Sequence, residues 1–249
     1  MMKKYLYFSL LLALFSCNDE ASTSEADKIV AKAIEQAGGE KYSRASIEFN
    51  FRGNLYTSQR NGGEFELTRK ITDSTGTTYY DVLNNKGFKR FHQDEEVAIS
   101  DSLAGVYSES VNAVHYFVQL PFGLNDDAVV KELVGQDTVN GKLYHEIKVT
   151  FRQEGGGQDH EDVYMYWIDK ENYSVDYLAY RFFVNDGGIR FRKAVNPRTE
   201  GGIRFVDYEN YKTNDLTTPL QDLDDMFQKG ELIKVSQIEN EILNVEIKE

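Results

Sequence analysis

The feature that most constrains this chain is its punctuation. Short runs of turn-forming residues recur along it: RNGG (Arg60 to Gly63), DSTG (Asp73 to Gly76), NNKG (Asn84 to Gly87), Asn140-Gly141 and NDGG (Asn185 to Gly188). Glycine and asparagine tolerate the left-handed backbone that tight turns demand. Between these turns the apolar residues alternate. In SIEFNFRGNLY, Ile47, Phe49 and Phe51 interleave with Glu48, Asn50 and Arg52, the period-two pattern of a half-buried strand. Asn-Gly between two such runs is the strongest short-range hairpin signal. Strands joined this tightly pair with their sequence neighbours, so the pattern predicts an antiparallel meander.

Two helices break the strand pattern. In SEADKIVAKAIEQAGG, Ser24 stands three residues before Asp27 as a capping box, and Gly38-Gly39 supplies a left-handed stop. Ile29, Val30, Ala33, Ile34 and Ala37 recur between them at helical spacing. A second helix is predicted from a cap at Asp101 to Pro121, with Leu103, Val106, Tyr107, Val111, Val114 and Phe117 on one broad side. Strands then resume, the later ones over Asp162 to Asp169, Ser174 to Val184, Ile189 to Asn196 and Ile203 to Lys212. A short amphipathic helix near LQDLDDMFQKG and a last strand in EILNVEIK follow. The phrase GGIRF occurs twice, at Gly187 to Phe191 and Gly201 to Phe205, and reads as two neighbouring strands that start alike. The expected fold is mainly β (α+β). A curved antiparallel sheet forms an incomplete β-barrel, covered by the N-terminal helix and the helical insertion, in one domain over residues 27–249.

The first residues, MMKKYLYFSLLLALFSC, place two lysines before an apolar run from Tyr5 to Phe15. That run is about eleven residues, well short of the roughly twenty that span a bilayer, and fits a cleaved export signal over residues 1–16. Its end, Leu14 to Cys17, resembles the lipobox of bacterial lipoproteins. The resemblance implies cleavage before Cys17 and acylation of that residue with palmitate-type chains. Cys17 is the single cysteine, so it closes no internal disulfide. Residues 17–26 carry no apolar side chain larger than alanine apart from the cysteine, and read as a flexible acidic tether. Two or three acyl chains anchor a protein without spanning the membrane. The expected location is the cell envelope, lipid-anchored on the outer membrane and facing the periplasm. The short acidic NDE (Asn18 to Glu20) resembles a surface-export tag, and keeps display on the outer surface as the alternative.

Acidic residues outnumber basic ones 41 to 28. Such a chain repels phosphate backbones, and nucleic acid is not an expected partner. The element order and the lipobox together resemble the lipoprotein-localisation carrier and receptor family (LolA/LolB-like), a half-barrel whose concavity holds acyl chains. LPFGLND (Leu120 to Asp126), YMYWID (Tyr164 to Asp169) and VDYLAY (Val175 to Tyr180) are similar to phrases in envelope lipoproteins to which no activity is attached.

Catalytic motifs are scarce. GGGQDHED places Asp159, His160 and Asp162 after three glycines, and His160 and Asp162 share a face if extended. Zinc needs three or four ligands and calcium a spaced oxygen loop. His92, His115 and His145 lie on separate elements, so the stretch reads as a glycine-rich hairpin turn, with no resident metal or cofactor expected. No nucleophile elbow, phosphate loop or dinucleotide motif is present. An envelope hydrolase built on Asp159, His160 and Asp162 stands as one alternative function, and a docking subunit that uses the acidic face as another.

The late strands carry polar side chains on both faces. Tyr164 and Tyr166 share a face with Asp162, Asp176 with Tyr180, Arg190 with Arg192, and Asp207 with Tyr211. Trp167 adds an amphipathic ring beside them. These residues either line a wet cavity that holds a lipid-like or amphiphilic ligand, or form an exposed sheet surface with ordinary cross-strand pairs. Arg190, Arg192, Asp176 and Asp207 are expected to neutralise one another across strands, because charges are seldom buried unpaired.

Overall fold

The computed structural model describes residues 23–154, 161–183 and 187–248. Cys17 with its leader, the first part of the tether, Asp159 and His160 lie outside the described residues. The protein is mainly β, with two seven-stranded antiparallel sheets that do not close into a barrel.

Helix α1 (Glu25–Ala37) starts as its sequence dictates. Ser24 Oγ accepts from the Asp27 backbone N–H at 3.1 Å, and Asp27 reaches back to the Ser24 backbone N–H at 3.3 Å. Gly38, at φ 150°, ends it, where a side chain would press on Ile203 and Tyr42. Ile29, Val30 and Ala33 are buried against the second sheet. Full burial of the two larger side chains stabilises the docked helix by about 2 kcal/mol each.

The first sheet follows as a meander: β1 (Ala45–Phe51), β2 (Asn54–Asn61), β3 (Glu64–Thr72), β4 (Thr78–Asn84), β5 (Gly87–His92) and the two-residue β6 (Glu95–Glu96). Helix α2 (Asp101–Val118) is capped by Ser100, whose Oγ accepts from the Leu103 N–H at 3.3 Å, one residue before the expected Asp101. The second sheet runs β7 (Val129–Val139), β8 (Lys142–Phe151), β9 (Val163–Asp169), β10 (Val175–Phe182), β11 (Gly188–Glu200) and β12 (Ile203–Lys212). Helix α3 (Leu223–Gln228) covers its outer face. Strand β13 (Ile233–Ile238), which the sequence reading passed over, pairs with β12, and β14 (Glu241–Ile247) pairs with β1.

The last two strands therefore belong to different sheets, and the chain crosses between them at Asn240. That crossing is secured by side chains. Asp207 Oδ1 accepts the Asn240 backbone N–H at 2.9 Å, Asn240 Nδ2 donates to the Val206 carbonyl at 2.8 Å, and Arg198 donates to the Asn240 carbonyl.

Helix α2 lies between the sheets. Towards the second sheet it presents Tyr116 and Phe117. Towards the first it presents Tyr107, Ser110 and His115, above a row of charges in cross-strand register: Arg69, Asp81 and Arg90. Asp81 is fully buried and receives both guanidinium groups, Arg69 at 2.6 Å and Arg90 at 2.7 Å. Arg69 also donates to Ser110 Oγ at 2.8 Å, and the Arg90 guanidinium stands 3.7 Å from the Tyr107 ring centroid. Four charge-assisted hydrogen bonds on one carboxylate offset its desolvation.

Candidate functional site

Between α2 and the inner face of the second sheet lies a cavity of about 590 Å³. Its wall is an aromatic ladder. Tyr164 and Tyr180, directly paired across β9 and β10, stack at 5.3 Å with 19° between their planes. Tyr166 continues the stack beneath Tyr164 at 6.1 Å and 6°. Phe117 closes over Tyr180 from the helix at 5.4 Å. The Tyr166 hydroxyl, fully buried, hydrogen-bonds the Tyr116 hydroxyl at 2.6 Å. Burial holds the phenols of Tyr164, Tyr166 and Tyr116 well above the ordinary tyrosine range, so they remain neutral hydrogen-bonding groups.

Arginines supply the polar part. Arg192 on β11 lies with its guanidinium 3.9 Å from the Phe117 ring centroid and 5.2 Å from that of Tyr180. Its Nη2 donates to the Tyr180 hydroxyl at 2.8 Å, while its Nε is buried with no hydrogen-bond partner. Arg190 stands two residues away, its guanidinium 5.2 Å from Phe182 and its Nη1 on its own Ile189 carbonyl at 3.0 Å. Arg52, from the turn after β1, also lines the cavity, as does the buried Asp162. Among the described residues neither Arg190 nor Arg192 enters an ion pair. Among the described residues three arginines and one aspartate line the space, a surplus of two positive charges in a chain whose formal net charge is -13. Groups of one sign in a low-dielectric recess focus their field on an opposite charge.

The structure thus brings together Tyr164, Tyr166, Tyr180, Arg190 and Arg192, with Asp162. The other residues read from the sequence lie elsewhere. Trp167 alternates to the outer face, fully buried with Phe191 under α3. Tyr211 is on that face too, its ring 5.2 Å from Phe227. Asp176 is turned from Tyr180 by a bulge between Val175 and Tyr177, and takes the Tyr144 hydroxyl at 3.1 Å. Asp207 secures the sheet crossing and pairs with Arg198 at 3.2 Å. The expected network among Arg190, Arg192, Asp176 and Asp207 therefore does not form: each aspartate has a nearer cation, Arg204 at 3.4 Å for Asp176 and Arg198 for Asp207.

A larger recess of about 750 Å³ at the end of the second sheet holds Lys142, Asp176, Lys193 and Arg204. There Asp176 meets both Arg204 and Lys142, and Lys193 meets Glu209 from outside the recess, so each of these cations has a carboxylate partner. The residues that sequence reasoning missed in the aromatic cavity are Arg52, Phe117, Phe182 and Tyr208; Phe182 stands two residues after Tyr180 on β10, so alternation could have found it. Tyr208 donates to the Phe117 carbonyl at 3.3 Å and is pushed up to about 12 by burial. No local pattern marks Arg52, Phe117 or Tyr208 as facing this space.

A profile for the family of unknown function DUF6503 matches residues 3–240. This chain belongs to that family. No curated protein matches it in sequence. Among solved structures, the DUF6503 protein is similar to a LolA superfamily protein from Nitrosomonas europaea, with 9% identity over 90% of this chain and 94% of that one and a TM-score of 0.47. It is also similar to a Vibrio parahaemolyticus domain described as an outer membrane lipoprotein-sorting protein, with 8% identity, 89% and 91% coverage and a TM-score of 0.48. A DUF1329 family protein from Desulfovibrio piger gives 13% identity, 85% and 100% coverage and a TM-score of 0.39. Among the described residues no helix is long and apolar enough to cross a membrane.

Proposed function

We propose that this DUF6503 protein binds an amphiphile with an anionic head group in the cavity between α2 and the second sheet. Tyr164, Tyr180, Phe182 and Phe117 receive the apolar portion, with Tyr166 packed behind Tyr164, and Arg190 and Arg192 receive the head group. One observation carries the reading: a positive surplus on an aromatic wall, inside an acidic protein, with no described carboxylate paired to either inner arginine. The cavity volume lies within the roughly 300–1,000 Å³ of small-molecule sites. Arginine forks suit phosphate and carboxylate oxygens, and tyrosines present both a flat apolar face and a hydroxyl. The activity proposed is binding, without a chemical step. The same proposal places the protein in the envelope, held by acyl chains on Cys17 to the outer membrane and facing the periplasm.

The test is native mass spectrometry of the domain from Ser22 onward, produced in a periplasm. A reproducible extra mass that organic solvent extracts, and that carries a phosphate or carboxylate, supports the reading. A bare protein that also fails to bind a single-chain phosphate amphiphile saturably would sink it. For the anchor, Cys17→Ser in the full chain is expected to leave the membrane fraction and lose the mass of the acyl chains.

A further inference from the structure

On the outer face of the second sheet, away from the aromatic cavity, three carboxylates meet. Asp137 on β7, Glu146 on β8 and Asp224 on α3 each offer one oxygen, and the three oxygens lie within 4.8 Å of one another. Asp224 is fully buried, and both of its oxygens lack a hydrogen-bond donor. Glu146 is buried too, at 5% exposure. Among the described residues none of the three enters an ion pair. Buried carboxylates are ordinarily paired, hydrogen-bonded or bound to a metal. Here an unpartnered one is aimed at two others.

We infer that Asp137, Glu146 and Asp224 bind a hard divalent cation, Ca²⁺ by size. Calcium takes oxygen ligands at about 2.3–2.6 Å, so two oxygens on one ion stand no more than about 5 Å apart, and the pairwise spacing of this trio lies inside that limit. Magnesium, at about 2.0–2.1 Å, demands near-ideal octahedral geometry and gives up its waters reluctantly, which a small cluster of protein carboxylates serves less well. Softer metals prefer sulfur or imidazole, which this cluster lacks. Gly135 pairs with Glu146 across the strands, and a Cβ there would stand 2.5 Å from Glu146 Oε2. The absence of a side chain at Gly135 thus gives the Glu146 carboxylate its place. Asp137 is only half-buried and leaves a path for the ion and its waters.

Burial first, and then the charges of Asp224 and Asp137, push the Glu146 carboxyl up to about 7; burial likewise pushes Asp224 up to about 6. A cation relieves that repulsion. It also joins α3, a helix of only 6 residues, to the β7–β8 hairpin, so its binding stabilises the folded state.

Trp167 makes the site readable. It pairs with Glu146 in the sheet register and is the single tryptophan of the chain. Terbium, which mimics calcium, is titrated into the protein while Trp167 is excited. The expected result is saturable sensitised emission at one ion per chain, displaced by Ca²⁺, with the melting temperature raised by Ca²⁺. Asp224→Asn is expected to weaken terbium by more than the roughly tenfold that even outer-shell changes cost, with the near-ultraviolet spectrum retained. Glu146→Gln is the second variant should the first fail to fold. Asp225→Asn, at an exposed carboxylate already paired with Lys229, is expected to leave emission unchanged. Absence of sensitised emission, or emission equal in wild type and both site variants, overturns the inference.

Discussion

Arg192 donates through Nη2 to the Tyr180 hydroxyl at 2.8 Å, while Nε of the same guanidinium lies buried and unpartnered. The tyrosine fixes the fork across the wall of the cavity and leaves it short of acceptors. A head-group oxygen would complete it. Arg192→Ala is therefore expected to lower affinity for a phosphate-headed amphiphile by about 10- to 100-fold, the worth of a charged hydrogen bond. Arg192→Lys should recover only part, because an ammonium lacks the fork. Competition against a fluorescent amphiphile measures both, and unchanged affinity in Arg192→Ala would remove the head-group role.

The Tyr116–Tyr166 hydroxyl pair separates packing from polarity. Tyr166→Phe leaves the Tyr116 hydroxyl buried without its partner at 2.6 Å, and should cost about 1–3 kcal/mol in urea unfolding. The double variant Tyr116→Phe, Tyr166→Phe removes both polar groups. It is expected to recover most of that loss, and additive costs would show the pair to be uncoupled.

In the first sheet, Asp81 holds two arginines that would otherwise repel each other under α2. Asp81→Asn keeps the shape and removes the charge. Breaking a buried ion pair costs about 3–5 kcal/mol, and chemical denaturation should show a loss of that order. A change below 1 kcal/mol, on the order of an exposed pair, would mean that water reaches the arginines.

His115 gives a pH signature. Its Nε2–H donates to the Thr68 carbonyl at 3.1 Å and its Nδ1 accepts from Gln119 Nε2 at 3.3 Å, so the neutral ring satisfies both partners. Burial lowers its pKa from 6.5 to about 4. As pH falls below 6.5 the unfolded chain takes up a proton that the folded one refuses. The stability from neutral His115 is thus complete above pH 6.5 and declines as pH falls towards 4, by at most about 1.4 kcal/mol per pH unit. His115→Gln should be less stable at neutral pH but flatter across that window. Parallel stability curves for the two proteins would refute the assignment.

Much of the fold was legible because its signals are local. The capping box at Ser24 and Asp27, the Asn140-Gly141 hairpin and the β9–β12 strands lie where residue spacing placed them. The aromatic face was partly legible for the same reason: Tyr164, Tyr166, Arg190 and Arg192 obey simple alternation. Asp176 broke that rule because a bulge adds a residue and moves its side chain away from Tyr180. Asp207 looked like a ligand contact only while the path of Asn240 was unknown.

The sequence by itself determined most of the strands and where they turn, β13 being the exception, since these depend on neighbours two to four residues apart. Tertiary structure alone decided that β13 and β14 part to join different sheets, that Phe117 and Arg192 meet across the cavity, and that Asp137, Glu146 and Asp224 converge. Those contacts join residues far apart along the chain. They form when burial of the apolar faces brings the sheets and helices together, and no short-range pattern of side chains encodes them.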